Sequence, residues 1–386
     1  MAKIPLAWAQ LTREKMRLVI ALAGIGFADL LMFMQFGFRD ALFESSISFH
    51  SKLKGEIFII NTQSTALIAM KSFPQRRLYQ ALSFNGVTAI SPVYLGFGLW
   101  QNPDPNRRNT RQLMIIGFDP SHPILDLPGV QNNLHKIKIS DVVLFDQASR
   151  AEFGPVVEYF KQGKPVETEV DNRRVRVEGL FTLGASFGAD GNLVTSDLNF
   201  LRIFATRRAR GLIDIGVVKL EPGTDVKAVV DKMRATLPKD VKIFSKQEFA
   251  DFEKKYWHES TSIGFIFTLG ASMGFIVGIV IVYQILYTDV TDHLPEYATL
   301  KAMGYKDIYF LGVVFQEAMI LAILGYLPGL GVSVVLYSLG RSATSLPMYM
   351  TLTKVITVFV MTVIMCSVSG AIAVRKLQAA DPADIF

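Results

Sequence analysis

The sequence predicts a membrane α-helical bundle of four transmembrane helices in a 1 + 3 arrangement, with a large α+β extracytoplasmic domain inserted between helices 1 and 2. Three observations predict it. The 386 residues are 50% hydrophobic with a mean hydropathy of +0.32, too apolar for a soluble chain of this length. Four stretches, 18–38, 263–287, 308–339 and 355–374, match the roughly 20 apolar residues that cross a hydrocarbon core about 30 Å thick. Only one of them precedes residues 39–262, which carry 30 Lys+Arg against 25 Asp+Glu and read as ordinary globular sequence.

Residues 1–17 read as a cytoplasmic amphipathic helix. Pro5 suits a first helical turn; Leu6, Trp8, Leu11 and Met16 are apolar, while Arg13, Lys15 and Arg17 are basic. Such a segment lies along lipid headgroups with its tryptophan at the interface. Lys3, Arg13, Lys15 and Arg17 against Glu14 alone place the N-terminus in the cytoplasm. The first span is too long for a cleavable signal and lacks a small-x-small site. Four crossings return the tail, 375–386, to the same side with Arg375 and Lys376. The loop 288–307 is then cytoplasmic, and the loop 340–354 and the 39–262 domain face outward.

In the second span Gly270, Gly274 and Gly278 form a small-xxx-small ladder that lets another backbone approach closely. Its partner is either another helix of this chain or the same helix of a second copy. The third span contains Gly325, Pro328, Gly329 and Gly331, and a kink or break is expected there. Asp29 in the first span, with Gln316 and Glu317 in the third, are polar at membrane depth. They form a relay, or else they pair inside the bundle or lie beyond the lipid; the second reading is the commoner.

The inserted domain has two similar ends. Near its start, 55–61 is a strand, 74–82 a short helix and 87–95 a second strand, continued by 113–118. Near its finish, 212–220 is a strand, 225–237 an amphipathic helix and 241–244 another strand. Ser245 and Glu248 read as a capping box opening a helix that runs to the membrane. Residues 39–119 and 206–262 are expected to form one βαβ-like subdomain, and 120–205 a β-rich one. Within the latter, 166–183 is a hairpin turning at Asp171-Asn172, and 184–192 a mobile loop. The aromatics and prolines of 91–105 line a cleft or, more commonly, a packed core. Arg202, Arg207, Arg208 and Arg210 suggest either a phosphate or headgroup patch or, as the commoner case, a solvated helix face.

Several function classes are excluded on the residues. No GxxxxGK[ST] phosphate loop occurs, so the chain should not bind or hydrolyse ATP itself. Five scattered histidines and one cysteine, Cys366, make neither a metal site nor a disulfide. No nucleophile signature is present, and the mild charge of +6 is not gathered into a nucleic-acid face. An enzyme is not expected, and neither is a cofactor.

The most specific local sequence is the loop Asp292-His-Leu-Pro-Glu296-Tyr-Ala-Thr-Leu300-Lys301-Ala302-Met303-Gly304-Tyr305. It reads as a short helix with Leu300 and Met303 exposed, ended by Gly304, and shaped to dock in a partner's groove. This loop resembles the E-x-A-x-L-x-A-x-G signature of permeases of the MacB/FtsX type, between their second and third membrane helices. The closing Arg375-Lys376-Leu377…Asp381-Pro382-Ala383 and the 1 + 3 topology resemble theirs too. His293-Leu294-Pro295 replaces the family's usual basic residue before the glutamate. The N-terminal IPLAWAQLTREKMRL and the GFRDALF after the first helix are most similar to DevC-type permeases of cyanobacteria.

The resemblance implies an ABC exporter subunit working by mechanotransmission, in the bacterial inner membrane with both termini cytoplasmic. Two copies would pair through their first two membrane helices, and the glycine ladder would serve that homodimer. A separate DevA-like ATP-binding subunit, holding ATP and Mg, would dock on the loop at Glu296, Leu300, Lys301 and Gly304. The periplasmic domain would engage a DevB-like adaptor and, through it, a TolC-like outer-membrane channel. Export of a glycolipid or another lipidic substrate is implied. The alternatives are a LolC/E-like lipoprotein-releasing permease and an FtsX-like regulator of a periplasmic hydrolase.

Overall fold

The computed structural model describes residues 6–13, 15–305, 307–344 and 346–379. The closing Asp381-Pro382-Ala383 segment lies outside them. The chain divides into two compact units: a helical one (Met1–Ala41, Ser262–Thr344, Met348–Phe386) and an α/β one (Leu42–Thr261, Ser345–Pro347).

The chain opens with α1 (Leu6–Arg13) and α2 (Lys15–Ser46), the latter the first helix long and apolar enough to span a membrane. Ala7 and Leu11 of α1 are buried in the bundle while Trp8 stays half exposed, so one stripe of the amphipathic helix packs on protein. A short α3 (Ser48–Lys52) follows.

The α/β unit contains eleven strands. They are β1 (Ile57–Asn61), β2 (Phe73–Pro74), β3 (Val87–Gln101), β4 (Thr110–Phe118), β5 (Val142–Asp146), β6 (Val166–Val170), β7 (Arg173–Phe181), β8 (Asn192–Ser196), β9 (Leu212–Ile213), β10 (Ile215–Leu220) and β11 (Val241–Ser245). Its helices are α4 (Arg76–Gln80), α5 (Pro128–Gln131), α6 (Val156–Lys161), α7 (Asp197–Ile203), α8 (Val226–Thr236) and α9 (Lys246–Glu259). Nine strands form one sheet, ordered β11-β1-β10-β3-β4-β8-β5-β7-β6; β2 and β9 pair separately. Because β3 also meets β6 at Trp100↔Val170, the strands from β3 round to β6 close on themselves. Alternation along β1 sends Ile57 and Ile59 into one core and Phe58 and Ile60 into another, so the sheet is covered on both faces.

Local signals hold well here. The 166–183 hairpin is β6–β7, and Asp171 and Asn172 take φ of 48° and 63°, the left-handed pair of a type I′ turn. Asp225 caps α8, and Ser245 with Glu248 forms the capping box of α9. Three expectations need correction. Residues 113–118 do not continue the preceding strand: β4 turns back antiparallel beside β3, Val93↔Phe118 to Gln101↔Thr110. The sheet runs unbroken across the expected 119/120 division, because β4 pairs with β8. The 184–192 segment is stapled: the Asp146 carboxylate accepts from the N–H groups of Leu183 and Gly184 and from Asn192 Nδ2 at 2.8–3.0 Å.

After α9 come α10 (Ser262–Asp292), α11 (Leu294–Ala302), α12 (Asp307–Thr344) and α13 (Leu352–Ala379). With α2, the helices α10, α12 and α13 supply the four candidate spans, one before the domain and three after it. Of the kink or break expected there, the structure shows no break: Pro328 lies inside a continuous α12. A proline removes one backbone donor, which a long, packed helix tolerates.

Candidate functional site: the loop helix and the stalk

The loop helix α11 is pinned from inside. Tyr297 is buried with its ring edge-on to Phe310 at 5.3 Å, and Leu300 packs on the cluster of Val290, Tyr297, Phe310, Val314 and Val374. Leu300 is therefore half-buried, against its expected exposure. Gly304 closes the helix with φ 95°, and the Tyr305 N–H donates to the Leu300 carbonyl at 3.2 Å. Glu296 pairs with Arg13 at 3.6 Å, both exposed, a contact worth well under about 1 kcal/mol. Arg17 bonds Asp292 at 2.6 Å and approaches Asp289 at 3.9 Å. The side chain of Lys301 lies outside the described residues.

The exposed residues lie just beyond the pinned helix: Met303 (64% exposed) and Tyr305 in the turn after α11, and Ile308 (76%) and Tyr309 at the start of α12, with the two tyrosine rings 4.9 Å apart. Four large apolar side chains around one helix end are the composition of a docking spot. Sequence reading singled out only Met303, because Tyr305 closes the quoted loop without a role of its own and Ile308 and Tyr309 fall inside the third span, 308–339.

The three polar residues at membrane depth separate. Gln316 is exposed on the outside of the bundle, whereas Asp29 and Glu317 are fully buried. The Thr362 hydroxyl lies 2.5 Å from Asp29 Oδ1, tying α13 to α2. Glu317 faces the Asp289 carboxyl, beside which His293 Nδ1 sits at 3.7 Å. Among the described residues no histidine, lysine or arginine pairs with Asp29.

The glycine ladder packs within the chain. A Cβ on Gly270 would meet Gln35 at 2.5 Å, one on Gly274 would meet Leu31 Cβ at 3.2 Å, and one on Gly278 would collide with Met365 and Ala28. Gln35, Leu31 and Ala28 all belong to α2. Of the two partners the ladder allowed, the chain's own first helix lies against its cleared face.

In the α/β unit, the two chain ends form a stalk. The last turns of α2 and α3 run beside α9, joined by Glu44–Lys254 (3.2 Å), an edge contact of Phe43 with His258, and Lys246 Nζ donating to the Leu53 carbonyl at 2.8 Å. At its centre His50 and Glu253 are both buried, 3.9 Å apart. Glu253 accepts from the Leu67 N–H and the Trp257 indole, each at 2.8 Å, yet burial lifts its carboxyl to about 7. Burial likewise drops His50 to about 3, and among the described residues neither ring nitrogen has a hydrogen-bond partner.

The arginine run is not an anion patch. Arg207 pairs with Asp171, Arg208 with the buried Asp214, and Arg202 donates to Ser140 at 2.7 Å. Among the described residues no group of histidine, cysteine and acidic side chains is arranged to hold a metal.

Residues 265–382 match the family of FtsX-like permease C-terminal domains. No curated protein matches the chain. Among solved structures, the periplasmic region of MacB from Actinobacillus actinomycetemcomitans is similar at 12% identity, covering 52% of this chain and 92% of that one, with a TM-score of 0.35. The extracellular domain of the noncanonic ABC-type transporter YknZ from Gram-positive bacteria is similar at 12%, covering 49% and 98%, TM-score 0.33. A domain of a putative permease from Porphyromonas gingivalis is similar at 14%, covering 50% and 89%, TM-score 0.30.

Proposed function

We propose that this chain is the permease subunit of an ABC exporter working by mechanotransmission, with ATP and Mg held by a separate DevA-like subunit. The observation that carries it is the junction of α11 and α12: α11 is pinned on its inner face, and Met303, Tyr305, Ile308 and Tyr309 are exposed in the turn and helix start that follow, within the stretch that matches FtsX-like permease C-terminal domains. The ATP-binding subunit docks there on the cytoplasmic side. Its stroke tilts α10 and α2, which adjoin the stalk helices α9 and α3 in the chain, and so moves the inserted domain. The basic N-terminal residues support that orientation.

In the fuller reading two copies work together in the inner membrane. The inserted domain, in the periplasm, engages a DevB-like adaptor linked to a TolC-like channel, and the cargo is a glycolipid or another lipidic molecule. The similarity of the N-terminal segment and of GFRDALF to DevC-type permeases supports this version.

The test is copurification in mild detergent followed by an ATPase assay on the copurified subunit. Met303→Asp places an unpaired charge at the centre of the apolar contact, a change of about 2 kcal/mol or more at a docking hot spot. Stimulation of the partner ATPase should fall at least about tenfold while membrane insertion persists. Unchanged stimulation would refute docking at this corner.

A further inference from the structure

At the end of the helical unit away from α11, three span boundaries converge and each carries a cation. Hydropathy ends the spans at 38, 339 and 355, and Arg39, Arg341 and Lys354 stand within two residues of those limits. Asp40 is the one acid recorded among them, so the group carries three positive charges and one negative. Its carboxylate binds Arg39 Nε at 3.0 Å and Lys354 Nζ at 3.3 Å. Lys354 is nearly buried, and its Nζ also donates to the Tyr349 carbonyl at 3.0 Å.

Arg341 is placed differently. Its guanidinium stacks on the Tyr349 ring at 4.5 Å, and its Nε donates to the Met348 carbonyl at 3.2 Å. These two contacts fix the plane of the group. Its two terminal nitrogens have no partner among the described residues, and the residue is exposed. A guanidinium held this way presents a ready fork for two oxygens of one anion. Tyr349, itself 55% exposed, supplies the amphipathic ring usual at headgroup depth.

The placement runs against the ordinary charge bias of membrane proteins. On the orientation adopted under the proposed function, the 340–354 loop faces outward, where short loops are poor in Lys and Arg. Lys354 there is answered by Asp40, whereas Arg341, held in plane with an open fork, calls for an anionic counterpart at headgroup depth. The exposed guanidinium lies against the exposed Tyr349 ring beside a span boundary, an amphipathic pairing that suits a lipid more than a protein.

We infer that Arg341, with Lys354 and Tyr349, forms a binding site for the phosphate headgroup of an anionic phospholipid in the adjoining leaflet. The fork of Arg341 takes two phosphate oxygens, Lys354 and Arg39 add long-range attraction, and Tyr349 packs against the glycerol and upper acyl carbons. A free phosphate would satisfy the same nitrogens, so the experiment separates the two sources.

The full-length chain is purified in mild detergent and its retained lipids are counted by native mass spectrometry after titration with phosphatidylglycerol, phosphatidylcholine or inorganic phosphate. The expected result is one tightly retained phosphatidylglycerol per chain that is lost in Arg341→Gln, with affinity at that site at least fivefold weaker in Tyr349→Leu. Phosphatidylcholine should not replace it. Equal retention of both lipids, or an unchanged count in Arg341→Gln, would overturn the inference. Full competition by inorganic phosphate at millimolar concentration would overturn the lipid as occupant. Arg341 is exposed, so its variant should fold; failure of the ATPase test above with success here would leave this site standing on its own.

Discussion

Replacing Gly329 by alanine should destabilise the helical unit, whereas the same change two residues on, at Gly331, should not. A Cβ on Gly329 would lie 2.9 Å from Asp29 Cβ, 3.0 Å from the Gly26 carbonyl oxygen and 3.1 Å from Gly26 Cα. Optimal carbon–carbon separation is about 3.5–4.0 Å, so the shortfall is roughly half an ångström or more against several atoms at once. Two of those atoms are backbone and cannot swing aside, so α2 and α12 must separate. Overpacking of this kind costs about 1–3 kcal/mol. Alanine's better helix propensity returns about 0.5–1 kcal/mol. The net loss expected for Gly329→Ala is therefore between about 0 and about 2.5 kcal/mol, centred on roughly 1 kcal/mol.

At Gly331 no atom lies within 4 Å of the added Cβ, so only the propensity gain remains. The two variants should differ by about 1–3 kcal/mol, or roughly fivefold to about 150-fold in the unfolding equilibrium. Reversible unfolding in bicelles, by detergent titration or steric trapping, measures this difference directly. Equal stability of the two would show that the Gly26–Gly329 crossing is not a tight contact and would remove the reason for glycine there.

Two further outcomes follow from the same structure. Gly274→Leu should lower the stability of the single chain by about 1–3 kcal/mol through its clash with Leu31 and Met32, seen as earlier thermal unfolding of the detergent-solubilised monomer; unaltered unfolding would reopen the ladder as a contact between copies. For the stalk pair, the signs oppose. Glu253, raised from 4.5 to about 7, contributes stability in full below 4.5 that is lost as pH rises through 7; His50, lowered from 6.5 to about 3, contributes stability in full above 6.5 that is lost as pH falls towards 3. Between 4.5 and 6.5 the two slopes cancel, since folding only moves one proton from histidine to glutamate. Below 4.5 the histidine acts alone, so His50→Phe should lessen the acid-side loss by about 1.4 kcal/mol per pH unit between 4.5 and 3, measured by denaturant unfolding at fixed pH. An identical acid slope in the variant would show that the ring protonates in place.

Much of the architecture is written in one-dimensional signals. The four spans and the long insertion follow from hydropathy summed over 20 residues, a quantity that needs no knowledge of neighbours. Asp171-Asn172, Asp225, Ser245 with Glu248, and Gly304 each announce a turn or helix end because the bond they make is to backbone a few residues away. Strand β4 was misassigned because Leu113–Phe118 is apolar on both faces, which reveals a buried strand but not its direction or partner. Leu300 was misplaced for a related reason: an apolar residue on a short helix is equally consistent with docking outward and packing inward.

Hydropathy and local capping therefore determine by themselves that a domain hangs between the first and second of four membrane helices. Those signals arise from transfer free energy and from bonds that close within a few residues. Only the tertiary structure decides which surfaces meet: that Gly270, Gly274 and Gly278 clear space for α2, that Arg207 and Arg208 are neutralised by Asp171 and Asp214, and that Arg341 keeps an open fork while Lys354 is tied to Asp40. Each of those outcomes depends on a partner brought close by the fold and not signalled by any local pattern. Burial and pairing are properties of the assembled core, and they set whether a charge is silent structure or an available site.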